Sequence, residues 1–135
     1  MAISELLDTH ALLWALVEPG KLSPAEVEVI EDPQNSVIVS SASAWEIAIK
    51  YQLGRLPEAR SVIDGYHRHL RVLRAVELAM NSEHAIRAGS FDAEHRDPFD
   101  RMLAAQSPCE HSFTRREEKR SWAVTRRRGK DCGIL

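Results

Sequence analysis

At 135 residues, 44% apolar and 28% charged, the chain has the composition of one globular domain long enough to bury a sizeable core. No run approaches the ~18 apolar residues of a membrane span, and no basic stretch leads into an apolar one at the N-terminus, so neither a transmembrane helix nor a signal peptide is expected. The net charge of −2 divides into −6 over residues 1–106 and +4 over residues 107–135, an acidic body that excludes indiscriminate binding to nucleic acid but not its processing with the help of metal ions.

The first strand is predicted over Ile3–Leu7, with Asp8 at its C-terminal end and a helix from Thr9 to about Val17 on the periodicity of Leu12, Leu13 and Leu16. Glu18-Pro19-Gly20 stops that helix, and Ser23-Pro24-Ala25-Glu26 starts a second one, with Ser as N-cap, Pro at the first position and Glu three residues on. Asp32 to Asn35 reads as a turn, Val37-Ile38-Val39 as a second buried strand, and Ala44 to Ile49 as the body of a third helix that ends by Gly54. A helical stretch interrupted by Gly65 is expected from Pro57 to about Leu70, and a third strand from Val72 to Leu78. Helices follow at Ser82–Ala88 and, opened by Asp97-Pro98, through Gln106. Strands alternating with helices imply a parallel sheet covered on both faces. Leu7, Leu12, Leu13, Val37, Val39, Ile47, Phe99 and Leu103 are the expected shared core.

Three carboxylates occupy similar addresses. Asp8 directly follows the first strand, at the place where open α/β sheets bind ligands, although Asp8 or Thr9 serves equally well as a helix cap. Glu46 lies just after the second strand, yet Ser43-Ala44-Trp45-Glu46 also reads as a capping box. Ser23–Glu26 shows the same box with no chemistry in its vicinity. Asp100 falls in the first turn of the helix capped by Asp97, where the helix dipole alone favours an acid. Together, three acids on one sheet edge repel one another and raise one another's pKa, an arrangement suited to a hard cation such as Mg²⁺ or Mn²⁺ and to phosphodiester hydrolysis. Both cysteines, Cys109 and Cys132, lie near the C-terminus and form neither a disulfide framework nor a CxxC pair, so a reducing cytoplasm is expected. Six basic residues between Arg60 and Arg74 read either as a solvated helix face or as a guide for an RNA backbone or an acidic peptide.

The stretches Leu6-Leu7-Asp8-Thr9-His10-Ala11-Leu12-Leu13-Trp14, Ser43-Ala44-Trp45-Glu46-Ile47-Ala48-Ile49-Lys50 and His95-Arg96-Asp97-Pro98-Phe99-Asp100-Arg101 resemble, in order and spacing, the PIN-domain ribonucleases, specifically the VapC-type toxins of bacterial toxin–antitoxin pairs. The resemblance covers about residues 1–106. It implies a three-layer α/β/α sandwich on a short parallel sheet, a Mg²⁺- or Mn²⁺-dependent endoribonuclease, a homodimer, and a small antitoxin as partner. It assigns metal binding and catalysis to Asp8, Glu46 and Asp100, and a supporting place behind them to Thr9 and Asp97.

After Gln106 the chain departs from the family pattern. Arg116 stands near the expected fourth acid, Glu117 is a poor substitute, and no strand-like alternation is seen. Residues 107–135 therefore form a divergent basic segment in which the C-terminal strands are missing or altered, the pattern expected if the tail is read out of the ancestral frame. Two other readings stand beside the ribonuclease. One is a toxin remnant that binds its antitoxin without cutting. The other is a phosphatase-like hydrolase with Asp8 as nucleophile, weakened by His10 where a second Asp is wanted.

Overall fold

The computed structural model describes residues 3–91, 97–107 and, in backbone only, 132–134. The elements are β1 (Ser4–Leu7), α1 (Thr9–Val17), α2 (Pro24–Glu31), β2 (Ser36–Ser40), α3 (Ser41–Gln52), α4 (Arg60–Ile63), α5 (Tyr66–Val72), β3 (Ala75–Leu78), α6 (Ser82–Gly89), α7 (Pro98–Gln106) and β4 (Cys132–Ile134), with single 3₁₀ turns at Pro19–Lys21 and Pro57–Ala59. Among the described residues, the strands are all parallel, in the order β3-β2-β1-β4.

Strand alternation sorts the core onto two faces. Leu7, Val37 and Val39 point to one side and pack with Leu12, Leu13, Val29, Ile47, Val62 and Leu70 of the first five helices. Leu6 and Ile38 point to the other side, where Leu103 of α7 covers them, and α6 packs on α7. The result is the expected three-layer sandwich. Seven of the eight expected core residues are buried, while Phe99 is half-buried. Leu103 lies across the sheet from the others, so two cores replace the single shared one.

Two boundaries differ from the sequence reading. Val72 ends α5 and is exposed, and β3 begins only at Ala75, because Arg74 turns the chain with a positive φ of 55°. The C-terminal segment, whose strands were expected to be missing or altered, contributes a three-residue one: Ser4–Leu6 pair with Cys132–Ile134. Residues 108–131 of the expected divergent segment, including Cys109, Arg116, Glu117 and the 126–128 arginine run, lie outside the described residues.

The topology marks one place on the sheet. From β1 to β2 to β3 the chain moves one way with helices on one face. After β3 it crosses by α6 and α7 on the other face to β4, beyond β1. The direction reverses between β1 and β4, and the crevice outside the carboxyl ends of such strands is where α/β sheets take ligands. Asp8 is the first residue beyond β1.

Candidate active site

Asp8 caps α1 at the carboxyl end of β1. Its backbone is extended, and its Oδ1 accepts a 2.7 Å bond from the Ala11 N–H, which fixes the carboxyl group at the strand end. The residue is only 8% exposed. Burial raises its pKa from 3.8 to about 7; the Ala11 bond opposes that rise, and the charges of Asp100, Glu46 and Glu26 add to it. Three further acids therefore direct their fields at one buried carboxyl group.

Glu46 is placed by α3, and here the structure corrects the sequence reading. The helix begins at Ser41 with Ser40 as N-cap, so Ser43–Glu46 is not a capping box and Glu46 lies in the second turn, buried. Its Oε1 accepts from Thr9 Oγ1 at 2.6 Å, and Thr9 Oγ1 is 3.1 Å from Ser43 Oγ. A hydroxyl carries one proton; with that proton on Glu46, Ser43 is the donor to Thr9. Its Oε2 forms an ion pair with Lys50 Nζ, one helical turn on. Thr9 thus stands behind Glu46 as a hydrogen-bond donor.

Asp100 stands in the first turn of α7, where Asp97 Oδ1 accepts from the N–H groups of Phe99 and Asp100 at 2.9 and 3.2 Å. Asp97 is thus a cap at the place expected of it. Two anchors lay α7 over the strand ends. Leu103 packs on Leu6 and Ile38, and Ser40 Oγ donates to Gln106 Oε1 at 2.5 Å. Trp45 and Phe99, each one residue before an acid, meet edge to face with ring centres 5.1 Å apart. The structure brings Asp8, Glu46 and Asp100 to the same end of the sheet.

Three oxygen-donor carboxylates are the chemistry that hard divalent ions select. Among the described residues, however, no three acid, histidine or cysteine side chains already stand close enough together to hold a metal ion. Both oxygens of Glu46 are engaged, by Thr9 and by Lys50. His10, the position that weakened the phosphatase-like reading, is exposed and lies against Trp14.

Sequence reasoning passed over two residues. Lys50 was legible from its i,i+4 spacing to Glu46. Glu26 reads from the sequence as a cap with no chemistry in its vicinity. It does cap α2, but it is buried and its charge reaches Asp8. No local signal reveals that influence, because it depends on how the chain returns between α1 and α2.

The model of the PIN domain family matches residues 6–122, and the chain belongs to that family. The match runs past Gln106, to which the resemblance read from the three motifs extends. Among curated proteins, ribonuclease VapC16 of Mycobacterium tuberculosis (strain ATCC 25618 / H37Rv) is 59% identical over 29 residues, 22% of this chain and 21% of that protein. The similarity thus spans about a fifth of that relative's length. No solved structure matches.

Proposed function

We propose that this chain is a Mg²⁺- or Mn²⁺-dependent endoribonuclease, the toxin of a type II toxin–antitoxin pair, acting in the cytoplasm as a homodimer that a cognate antitoxin restrains. The observation that carries this reading is the buried Asp8 at the topological switch point, its charge opposed by Glu46 and Asp100 from two other elements. PIN-family membership and the local likeness to a VapC ribonuclease support it. No helix among the described residues is long and apolar enough to cross a membrane.

In this reading Asp8, Glu46 and Asp100 hold the ion, whose contribution is Lewis-acid activation of a phosphodiester and of water. The residues of the chain do the positioning. The Ala11 N–H fixes Asp8, the Thr9 hydroxyl orients Glu46, and the Asp97-capped helix start presents Asp100. The test is cleavage of a mixed single-stranded RNA by the full chain with Mg²⁺, with Mn²⁺ and with excess chelator, beside Asp8→Asn. Cleavage confined to the metal-loaded wild type supports the proposal; undiminished cleavage by the variant or in chelator overturns it.

A second reading, a toxin that binds its antitoxin without cutting, is favoured by one observation: the described acids do not by themselves form a metal-ready cluster. Antitoxin binding without metal-dependent cleavage would establish it.

A further inference from the structure

Among the described residues, ion pairs join side chains three or four positions apart in sequence, and one of these pairs differs from the others. Lys21–Glu18 and Arg60–Asp64 join side chains that are all more than half exposed, as pairs on solvated helix faces do. In Lys50–Glu46 the lysine is 27% exposed and the glutamate 5%. That glutamate is also one of the acids facing Asp8, and its other oxygen is already bonded to Thr9. An ammonium therefore sits on the carboxylate oxygen of Glu46 that a metal ion would need. A second cation brought to the same buried carboxylate is repelled at close range, where screening is weak.

We infer that Lys50 is the resident counter-ion of the acid cluster, holding Glu46 in the metal-free protein and giving way when a divalent cation binds. The inference rests on the metal-dependent reading above and adds to it a regulation of the site. Loading is a cation exchange, so Lys50 lowers the affinity for metal while keeping the empty site from carrying its full negative charge. Removing the competing cation removes a coupling between two binding events, and such couplings are worth about 5–150-fold in affinity.

The experiment has two measurements on the full chain. The first follows the ¹⁵N signal of the Lys50 ammonium in the wild type, identified by its loss in Lys50→Arg. A slowly exchanging signal is expected without metal, and it should collapse into fast exchange as Mg²⁺ is added. The second is Mn²⁺ binding, counted by the electron-spin signal of the free ion. Lys50→Met is expected to bind about tenfold more tightly than wild type, and Lys50→Arg, which keeps a cation there, to stay near wild type.

An ammonium signal that is absent without metal, or unmoved by saturating Mg²⁺, overturns the inference even if Lys50→Met does not fold. Equal Mn²⁺ affinity in wild type and Lys50→Met also overturns it, while leaving the metal-dependent reading standing. Failure of both proteins to bind Mn²⁺ at all overturns both.

Discussion

Ser23-Pro24-Ala25-Glu26 and Ser43-Ala44-Trp45-Glu46 carry the same Ser-x-x-Glu pattern, and the fold puts them to different uses. At the first, the helix starts at Pro24, Ser23 is the cap, and the box closes both ways: Ser23 N–H donates to Glu26 Oε2 at 2.7 Å and Glu26 N–H to Ser23 Oγ at 3.2 Å. At the second, the helix has already started at Ser41, with the Ser40 hydroxyl accepting from Ala42 N–H at 3.0 Å. Glu46 is then too far along to cap anything, and its carboxylate is free to meet Thr9 and Lys50. Where a helix begins relative to the motif decides whether the glutamate serves the backbone or the site. The serines Ser40 and Ser41, which directly follow the β-branched run Val37-Ile38-Val39, are the difference.

The largest effect is expected where the two glutamates meet, at Asp8, whose carboxyl group feels both. Its folded pKa is about 7 against 3.8 unfolded. Between those values the folded chain binds more protons than the unfolded one, so the stability of the metal-free protein falls as pH rises from about 4 to 7 and is level above. The shift corresponds to roughly 4 kcal/mol, a large part of a domain's ~5–15 kcal/mol. Asp8→Asn keeps an oxygen for the Ala11 N–H and removes the charge. Urea unfolding in chelator at pH 5 and pH 8 should show a steep loss for wild type and a flat, higher curve for the variant. Equal slopes would refute the burial of a charged Asp8.

Next comes the direct contrast between the two glutamates. Glu46→Gln should lower metal-dependent RNA cleavage by more than about 100-fold, beyond the 10–100-fold typical of groups that only orient metal ligands. Glu26→Gln keeps an oxygen for the Ser23 N–H and should leave cleavage within a few-fold. Similar losses in the two variants would erase the distinction. Thr9→Val, which removes the hydroxyl that holds Glu46, belongs between them, with a loss of about 10–100-fold. Full activity of this variant would show that Glu46 needs no support.

The same contrast shows how much was legible in advance. The helices, the first two strands and most of β3 follow from periodicity and from Pro, Gly, Asp and Asn at their ends. Asp8 and Asp100 were legible by address alone. Glu46 was legible only ambiguously, because S-x-x-E describes a box equally well whether or not a helix starts there. The late start of β3 depends on a non-glycine residue, Arg74, with positive φ, which is uncommon and carries no sequence mark. Strand β4 is three residues with a central glycine, and it is a strand because β1 offers it an edge. Lys50 and Glu26 matter through partners set by packing, and spacing could suggest only the first.

The smallest expected effect sharpens the comparison from its structural side. Ser23→Ala removes one cap acceptor at the start of α2, leaving the Glu26 N–H without its partner. N-cap losses of this kind cost ~1 kcal/mol, which for a chain of this size lowers the melting temperature by about 3–4 °C. Cleavage should not change, because Ser23 touches neither Thr9, Glu46 nor Lys50 by any bond that positions the site. Ser43→Ala removes the hydroxyl behind Thr9 and so should cost activity, although its helix keeps the Ser40 cap. The pair of alanine variants thus predicts a crossed result, stability lost with activity kept at Ser23 and activity lost at Ser43. Thermal melts and cleavage rates measured on the same two preparations decide it. Loss of cleavage in Ser23→Ala matching that in Ser43→Ala would mean that the two Ser-x-x-Glu segments are not divided between backbone and site.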